Sequence, residues 1–297
     1  MTWLIKIRGK FMEKIYNIID KKILIKTPFD YEESDSFIPF ISEDSKEYDL
    51  KIEFKKVENS IKFTQKPLYD EYTIKIYKDV DNIIREFVTS FSNESYGYLY
   101  ENLINDKGLE CYYCYKVKNS IVNTDRIFDM IAIENLFSKL NTFILHSSYI
   151  KYDDKAILFS GPSGIGKSTQ AELWVKYKNA EIINGDRTAI RKDNGIWKAY
   201  GLPYAGSSKI YKNITTPIKA IVVLRQSETN TIKKLDKLEA FKLIYGETTV
   251  NVWNESFVNT VVDIICSLVE DIPVYMLSCV PEKSAVKLLV KELEGEA

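Results

Sequence analysis

The segment Gly161-Pro-Ser-Gly-Ile-Gly-Lys-Ser168 is the feature that most constrains the fold of this chain. It has the pattern G-x-x-x-x-G-K-[ST], follows the apolar, strand-like run 156–160 and leads into a helical pattern that starts at Lys167. Glycines in such a loop let successive backbone N–H groups curve around an anion, and the helix N-terminus adds partial positive charge. The loop therefore predicts an α/β fold with a nucleoside triphosphate site at a strand end.

The residues of this loop have separate expected roles. Lys167 is expected to reach the β- and γ-phosphates of ATP, and the Ser168 hydroxyl is expected to help coordinate Mg²⁺. The residues expected to surround the phosphates are Gly161, Pro162, Ser163, Gly164, Ile165, Gly166, Lys167, Ser168 and Thr169. A glycine-rich turn formed by chance would lack the flanking strand and helix, so the pattern favours nucleotide binding with ATP and Mg²⁺ as cofactors.

The composition limits the classes of partner. The chain has 297 residues, of which 45% are hydrophobic and 28% charged, and its net charge is −1, as in an ordinary globular protein. A balanced charge argues against nucleic acid or an anionic membrane surface as a partner. No apolar run approaches the roughly 20 residues of a membrane span, and the charged N-terminus does not resemble a secretory signal, so we expect a cytoplasmic location.

Two patterns divide the chain. Residues 1–125 contain short alternating runs bounded by turn residues, which predict a smaller β-rich α+β domain. Residues 1–11 precede these runs and are interpreted as a frayed arm or a leader. The clearest runs are at 22–26, 50–54, 60–64 and 72–77. An apolar stripe predicts a connecting helix over 126–142, and alternating strands and helices over 143–297 predict an α/β domain around the phosphate loop.

Asp186 is the acidic residue best placed to act near a terminal phosphate. A strand pattern at 180–184 is followed by Gly185-Asp-Arg187, and ligands collect at the carboxyl ends of strands in open α/β sheets. Phosphoryl transfer needs a carboxylate near the γ-phosphate, for Mg²⁺ or for the attacking hydroxyl. Asp186 is therefore a candidate base and metal ligand, although a turn aspartate would give the same pattern. Arg187 is a candidate for stabilising phosphoryl charge, or simply a strand-end cation.

The same half of the chain resembles the kinase domain of HPr kinase/phosphorylase, and more closely its relatives encoded near peptide-modification genes. In that family a histidine precedes the loop on the preceding strand, and here His146 precedes Gly161 by 161 − 146 = 15 positions. The turn Gly185-Asp-Arg187 and the segment Tyr200-Gly-Leu-Pro-Tyr204 are also similar to segments of these relatives. The resemblance covers roughly residues 143–293 and implies a P-loop kinase domain of the α/β class, preceded by the β-rich domain.

This resemblance implies an ATP-dependent kinase that transfers the γ-phosphate to a hydroxyl, expected to be a serine of a small protein or peptide. Asp186 would be the acid/base and His146 its neighbour, although a lone strand histidine is as well explained as a core residue. HPr kinase/phosphorylase assembles as a hexamer, so the resemblance also implies a homo-oligomer. The family carries two adjacent carboxylates, whereas this chain has Gly185 before Asp186.

Two alternatives therefore stay open. One is a catalytically weakened nucleotide-binding accessory protein that presents a precursor peptide to another enzyme, which Gly185 favours and the intact Lys167-Ser168 pair opposes. The other is a small-molecule kinase, which would need an enclosed pocket for its acceptor.

Overall fold

The computed structural model describes residues 12–42, 47–90, 94–102, 109–114, 121 and 123–295. The chain forms two compact units, Met1–Ile133 and Glu134–Ala297. Each unit contains one eight-stranded sheet, so the mixed α/β class predicted from the sequence is confirmed. The arm interpreted at residues 1–11 lies outside the described residues.

The first unit is built on strands that pair into one sheet. They are β1 (Met12–Ile18), β2 (Lys21–Thr27), β3 (Leu50–Val57), β4 (Tyr69–Glu71), β5 (Ile74–Lys78), β6 (Asn82–Val88), β7 (Ser95–Asn102) and β8 (Leu109–Cys114). Their order in the sheet is β1-β2-β3-β8-β7-β6-β5-β4. In β3 the side chains of Ile52 and Phe54 are buried while Lys51 and Lys55 are exposed, which is the two-residue alternation of a half-buried strand.

One predicted strand is absent from this sheet. Residues 60–64, expected to form a strand, have no regular secondary structure. Instead, Phe63 stacks on Tyr77 with ring centroids 4.1 Å apart, and the backbone N of Ile61 donates to the Tyr98 hydroxyl at 2.8 Å. The alternating pattern therefore reflects aromatic and apolar packing on the sheet and not a ladder of backbone hydrogen bonds.

The segment 126–142, expected to form one helix, contains two short ones. They are α1 (Thr124–Met130) and α2 (Ile133–Lys139). Ala132, between them, has a φ of 49°, which interrupts the right-handed helical backbone. Asn123 caps α1, its side chain accepting a hydrogen bond from the backbone N of Arg126.

The second unit alternates strands and helices. Its elements are β9 (Thr142–Tyr152), β10 (Lys155–Ser160), α3 (Lys167–Lys178), β11 (Glu181–Asn184), β12 (Arg187–Asp193), β13 (Ile196–Gly201), β14 (Thr215–Gln226), β15 (Thr231–Lys234), α4 (Lys237–Gly246), α5 (Glu255–Asp271), β16 (Val274–Cys279) and α6 (Lys283–Glu294). The phosphate-loop pattern lies between β10 and α3, as the sequence predicts.

Five strands of this unit close into a ring. The pairs β10–β9, β9–β12, β12–β13 and β13–β14 are antiparallel, and β14 returns to β10 in parallel register. The strands β16 and β15 extend the sheet from β14, and β11 pairs with the second half of β9. The middle of β9, which carries His146, and the ends of β10 and β11, which lead into the phosphate loop and the Asp186 turn, are therefore held in one hydrogen-bonded frame.

Helices supply the core of this unit. Trp174 of α3 is fully buried with residues of α6, and α5 packs with α4 in a second cluster. The spacing of the buried residues of α5 is that of one helical stripe. These residues are Phe257, Val261, Ile264, Ile265 and Leu268. Full burial of one such side chain contributes about 1.5–3 kcal/mol. In the described parts of the chain, no helix is long and apolar enough to cross a membrane.

Candidate functional site

The loop between β10 and α3 has the backbone conformation that its glycines predict. Gly161, Gly164 and Gly166 have φ angles of 139°, 79° and 113°, a region that L side chains rarely adopt. A Cβ on Gly164 or Gly166 would meet no atom within 4 Å, so conformation and not space requires glycine at these two positions. Gly166 directly precedes α3 and has no side chain to cap it, which leaves the first-turn N–H groups available to an anion.

Lys167 is held inside this loop. Its side chain is buried, and the ammonium donates to the backbone O of Gly161 at 2.7 Å and of Pro162 at 3.0 Å. Burial lowers the pKa of Lys167, and the carboxylates of Glu247 and Asp186 act in the opposite direction. Because its direct partners are neutral carbonyls, the ammonium retains a charge that a phosphate could neutralise.

Asn184 shapes the turn that carries Asp186. Its Oδ1 accepts hydrogen bonds from the backbone N of Asp186 at 2.8 Å and of Arg187 at 2.9 Å. Its Nδ2 donates to the backbone O of Leu202 at 2.7 Å and of Tyr204 at 3.0 Å. Asn184 is fully buried, so its amide fixes the position of Asp186 against the segment that follows β13.

His146 lies on β9 between two carboxylates. Its Nε2 is 3.6 Å from Oδ1 of Asp186, and its Nδ1 is 3.1 Å from Oε2 of Glu247. The backbone N of His146 also donates to the backbone O of Glu247 at 2.9 Å, and the backbone N of Ser147 donates to that of Asp186 at 2.9 Å. The structure thus brings the two expected residues His146 and Asp186 together and adds Glu247, which the sequence analysis did not identify.

Glu247 reaches the site from the end of a helix. Its backbone N donates to the backbone O of Ile244 at 3.1 Å, where α4 ends. The chain then runs beside β9, because Leu145 and Thr248 form an antiparallel bridge. The sequence around Glu247, Gly-Glu-Thr-Thr, matches no motif. The only signal available was that a polar histidine on a buried strand requires a hydrogen-bond partner.

Arg187 lies at the solvent side of the site. Its Nε is 3.5 Å from Oδ2 of Asp186, and its side chain is 47% exposed. An ion pair this exposed contributes little to stability. The expected role of Arg187 toward a phosphoryl group stays a prediction.

Gly185 is pressed against the loop that follows β13. A Cβ at Gly185 would lie less than 3.0 Å from both Oγ and Cβ of Ser208, closer than real Cβ atoms approach other atoms. Gly206 lies against Asp186 in the same way, since a Cβ there would be 2.9 Å from Cγ of Asp186. The hydroxyl of Ser208 donates to the backbone O of Ala205 at 2.6 Å. Ser208 therefore occupies the space that a carboxylate side chain at 185 would need.

Comparison with known proteins places this arrangement in a family. The model described as SynChlorMet cassette protein ScmC matches residues 116–282, which is more than half of the 297 residues. The chain belongs to the ScmC family. No protein of curated function matches the sequence significantly.

A solved structure is also similar to this ScmC-family chain. It is the HPr(Ser) kinase/phosphatase from Coxiella burnetii, with 12% identity, a TM-score of 0.32, and coverage of 52% of this chain and 99% of that chain. The structural comparison thus finds the same protein that the motifs resemble, and at this identity and TM-score the match carries no conclusion about family relation or activity. The segment matched by the ScmC model contains the loop, His146, Asp186 and Glu247.

The donor groups of this ScmC-family chain fit a magnesium ion that arrives with a nucleotide. Among the described residues, no group of three or more His, Cys, Asp or Glu side chains could hold a metal ion. Mg²⁺ characteristically takes one or two carboxylates together with substrate phosphates and water. The hydroxyl of Ser168, an exposed residue, and the carboxylate of Asp186 are ligands of that kind. A site in which protein side chains alone surround the ion is not found among the described residues.

Proposed function

We propose that this chain is an ATP-dependent phosphotransferase that moves the γ-phosphate to a hydroxyl group. The observation that carries the proposal is the convergence of three groups on one place. Lys167 lies in a loop of phosphate-binding pattern, Asp186 contributes to the charge around it, and His146 is 3.6 Å from Asp186. A fixed cation for the phosphates and a fixed carboxylate for the attacking hydroxyl are groups on which phosphoryl transfer depends, and His146 lies beside that carboxylate.

In the proposed mechanism, Asp186 accepts the proton of the attacking hydroxyl. The hydroxyl oxygen forms a bond to the γ-phosphorus, the bond from that phosphorus to the bridging oxygen breaks, and ADP leaves. Lys167 and the backbone N–H groups of the loop stabilise the charge on the transferred group. Arg187, on the solvent side of Asp186, adds a guanidinium to the same region. Ser168 and Asp186 are the residues that would hold Mg²⁺ bound with ATP, and the ion would neutralise further phosphate charge.

The acceptor we propose is a serine of a small protein or peptide, as the resemblance to HPr kinase/phosphorylase implies. The side chain of Asp186 is 31% exposed, which leaves it accessible to a hydroxyl carried by another macromolecule. Nucleic acid and membrane surfaces are not proposed as partners, because the net charge is −1. A homo-oligomer and a cytoplasmic location stay predictions.

One observation favours a second candidate function. Gly185 stands where related kinases carry the first of two acids, and Ser208 fills the adjacent space. A site with one fewer carboxylate suits a nucleotide-binding accessory protein that presents a precursor peptide to another enzyme. The intact Lys167-Ser168 pair, which supplies groups for a triphosphate and for Mg²⁺, argues against this candidate.

The decisive experiment measures transfer of γ-labelled phosphate from ATP into the proteins and peptides of a lysate of the host cell. Wild type is compared with Asp186→Asn and with Asp263→Asn, a control that changes an exposed aspartate on α5. We expect Asp186→Asn to lose at least about 10²-fold in transfer while still binding ATP, since a positioned base contributes about that much. Equal labelling by Asp186→Asn would show that Asp186 is only a turn residue. Nucleotide binding without labelling by wild type would favour the accessory protein.

A further inference from the structure

We propose that Glu247 is a positioning residue, which fixes the tautomer and orientation of His146 so that Nε2 faces the acceptor hydroxyl together with Asp186. The proposal rests on the proposed function and assigns to the site the residue that directly follows α4, in a segment that carries no recognised motif. It follows from the hydrogen bonds around His146, from the attachment of Glu247 to β9, and from the charges around Lys167.

The tautomer follows from the chemistry of a carboxylate. An ionised carboxylate can only accept hydrogen bonds, so the contact of 3.1 Å between Oε2 of Glu247 and Nδ1 of His146 places a proton on Nδ1. In the neutral imidazole, Nε2 then carries a lone pair. This nitrogen and Oδ1 of Asp186 are 3.6 Å apart and are both acceptors, so they do not bond to each other. Instead, Nε2 of His146 and Oδ1 of Asp186 offer two acceptor atoms to the proton of one hydroxyl group.

The attachment of Glu247 to His146 is twofold. The side chain binds the ring, and the backbone O of Glu247 accepts from the backbone N of His146 at 2.9 Å. The next residues continue along β9, where the backbone N of Thr249 donates to the backbone O of Ile144 at 3.0 Å. The main chain of Glu247 is fixed to β9 and its side chain is only 17% exposed. The carboxylate therefore has little room to move away from the imidazole of His146. Such restraint is what keeps a catalytic group in a productive orientation.

Charge links the same residue to the phosphate loop. Of the two charged neighbours that act on Lys167, Glu247 has the larger effect and Asp186 the smaller. The charge of Glu247 thus acts on Lys167, while its side chain binds His146. The two roles can be separated by substitution, because Glu247→Gln removes the charge but keeps an oxygen that accepts from Nδ1, whereas Glu247→Ala removes both.

The first test reads the tautomer directly. His146 is the only histidine of the chain, so ¹⁵N-histidine labelling gives the NMR signals of one imidazole. We expect the proton on Nδ1 in wild type and in Glu247→Gln, and a shift of population to the Nε2-protonated form in Glu247→Ala. The control Glu172→Gln, an exposed residue of α3, should match wild type. A proton on Nε2 in wild type, or an unchanged tautomer in Glu247→Ala, would overturn the proposal.

The second test measures phosphate transfer by the same variants. We expect Glu247→Ala to lower kcat by about 10- to 100-fold, the usual cost of losing an orienting partner of a functional histidine. Glu247→Gln should recover most of this loss. A change in the KM for ATP that follows from losing the charge near Lys167 should be the same in Glu247→Ala and Glu247→Gln. Equal loss of kcat in both variants would refute a positioning role through Nδ1. Absence of transfer by wild type, with the proton on Nδ1, would refute the proposed function but not the pairing of Glu247 with His146.

Discussion

The contact between Gly185 and Ser208 allows a quantitative test of how tightly the site is packed. Gly185 does not have a positive φ, so its backbone would accept alanine without strain. The obstacle is space, since a Cβ would overlap both Oγ and Cβ of Ser208. Once those two atoms are removed, as in Ser208→Gly, the next atom is the backbone O of Ala205 at 3.9 Å, an ordinary contact.

These distances predict strong coupling between the two positions. Overpacking of a filled site costs about 1–3 kcal/mol, so Gly185→Ala should lower the free energy of unfolding of the second unit by that amount. Ser208→Gly loses the hydrogen bond from the hydroxyl to Ala205, which is worth about 1 kcal/mol. In the background of Ser208→Gly, adding Gly185→Ala should cost little. The coupling energy of the cycle should therefore be about 1–3 kcal/mol.

Urea unfolding followed by tryptophan fluorescence measures this cycle, because the buried Trp174 and Trp197 both belong to the second unit. With a slope of about 2 kcal/mol per molar urea, Gly185→Ala should lower the midpoint by roughly 0.5–1.5 M. A loss below about 0.5 kcal/mol in the wild-type background would refute the steric argument, since surface substitutions alone produce changes of that size. An equal loss in the two backgrounds would show that Ser208 is not the obstacle.

The remaining predictions concern the charged residues of the site. Lys167→Ala should abolish ATP binding measured by calorimetry while the fluorescence unfolding transition is retained; unchanged turnover would disprove the site assignment. His146→Ala should lower transfer of labelled phosphate less than Asp186→Asn does. The reverse order would mean that His146, and not Asp186, is the base. Because folding lowers the pKa of Lys167, the unfolded chain binds its proton more tightly. Between that lowered pKa and the ordinary value of 10.5, the stability of wild type should therefore rise with pH relative to Lys167→Met in urea titrations.

Local patterns predicted the elements that surround the phosphate loop. The apolar run before Gly161 is β10, and the helix that starts at Lys167 is α3, with Trp174 on its buried side. A loop of this kind depends on glycine conformation and on the adjoining elements, which are close in the sequence. The approach of His146 to Asp186 could be expected only from the family resemblance, because 40 residues separate them (186 − 146 = 40).

Other features depend on packing between distant segments, which no local pattern records. Glu247 joins the site because the end of α4 meets β9, and Ser208 fills the space beside Gly185 because the loop after β13 folds over that turn. The strand β15 was not predicted, since its sequence Thr-Ile-Lys-Lys has only four residues and it is mostly exposed at the sheet edge. The sequence did not predict the interruption of the helix at Ala132, because alanine normally favours a helix.

The closed ring of β10, β9, β12, β13 and β14 has a consequence for motion. In this ring each strand is bonded to two neighbours within the ring, so no single strand can detach without breaking two ladders. Amide hydrogens of these strands should therefore exchange with solvent through one cooperative opening rather than strand by strand. The rims of the ring hold the phosphate loop, the Asp186 turn and the backbone contact to Glu247. Fast local fluctuation is then left to the connecting loops, while the strands from which the phosphate loop and the Asp186 turn extend keep their mutual distances as long as the unit stays folded.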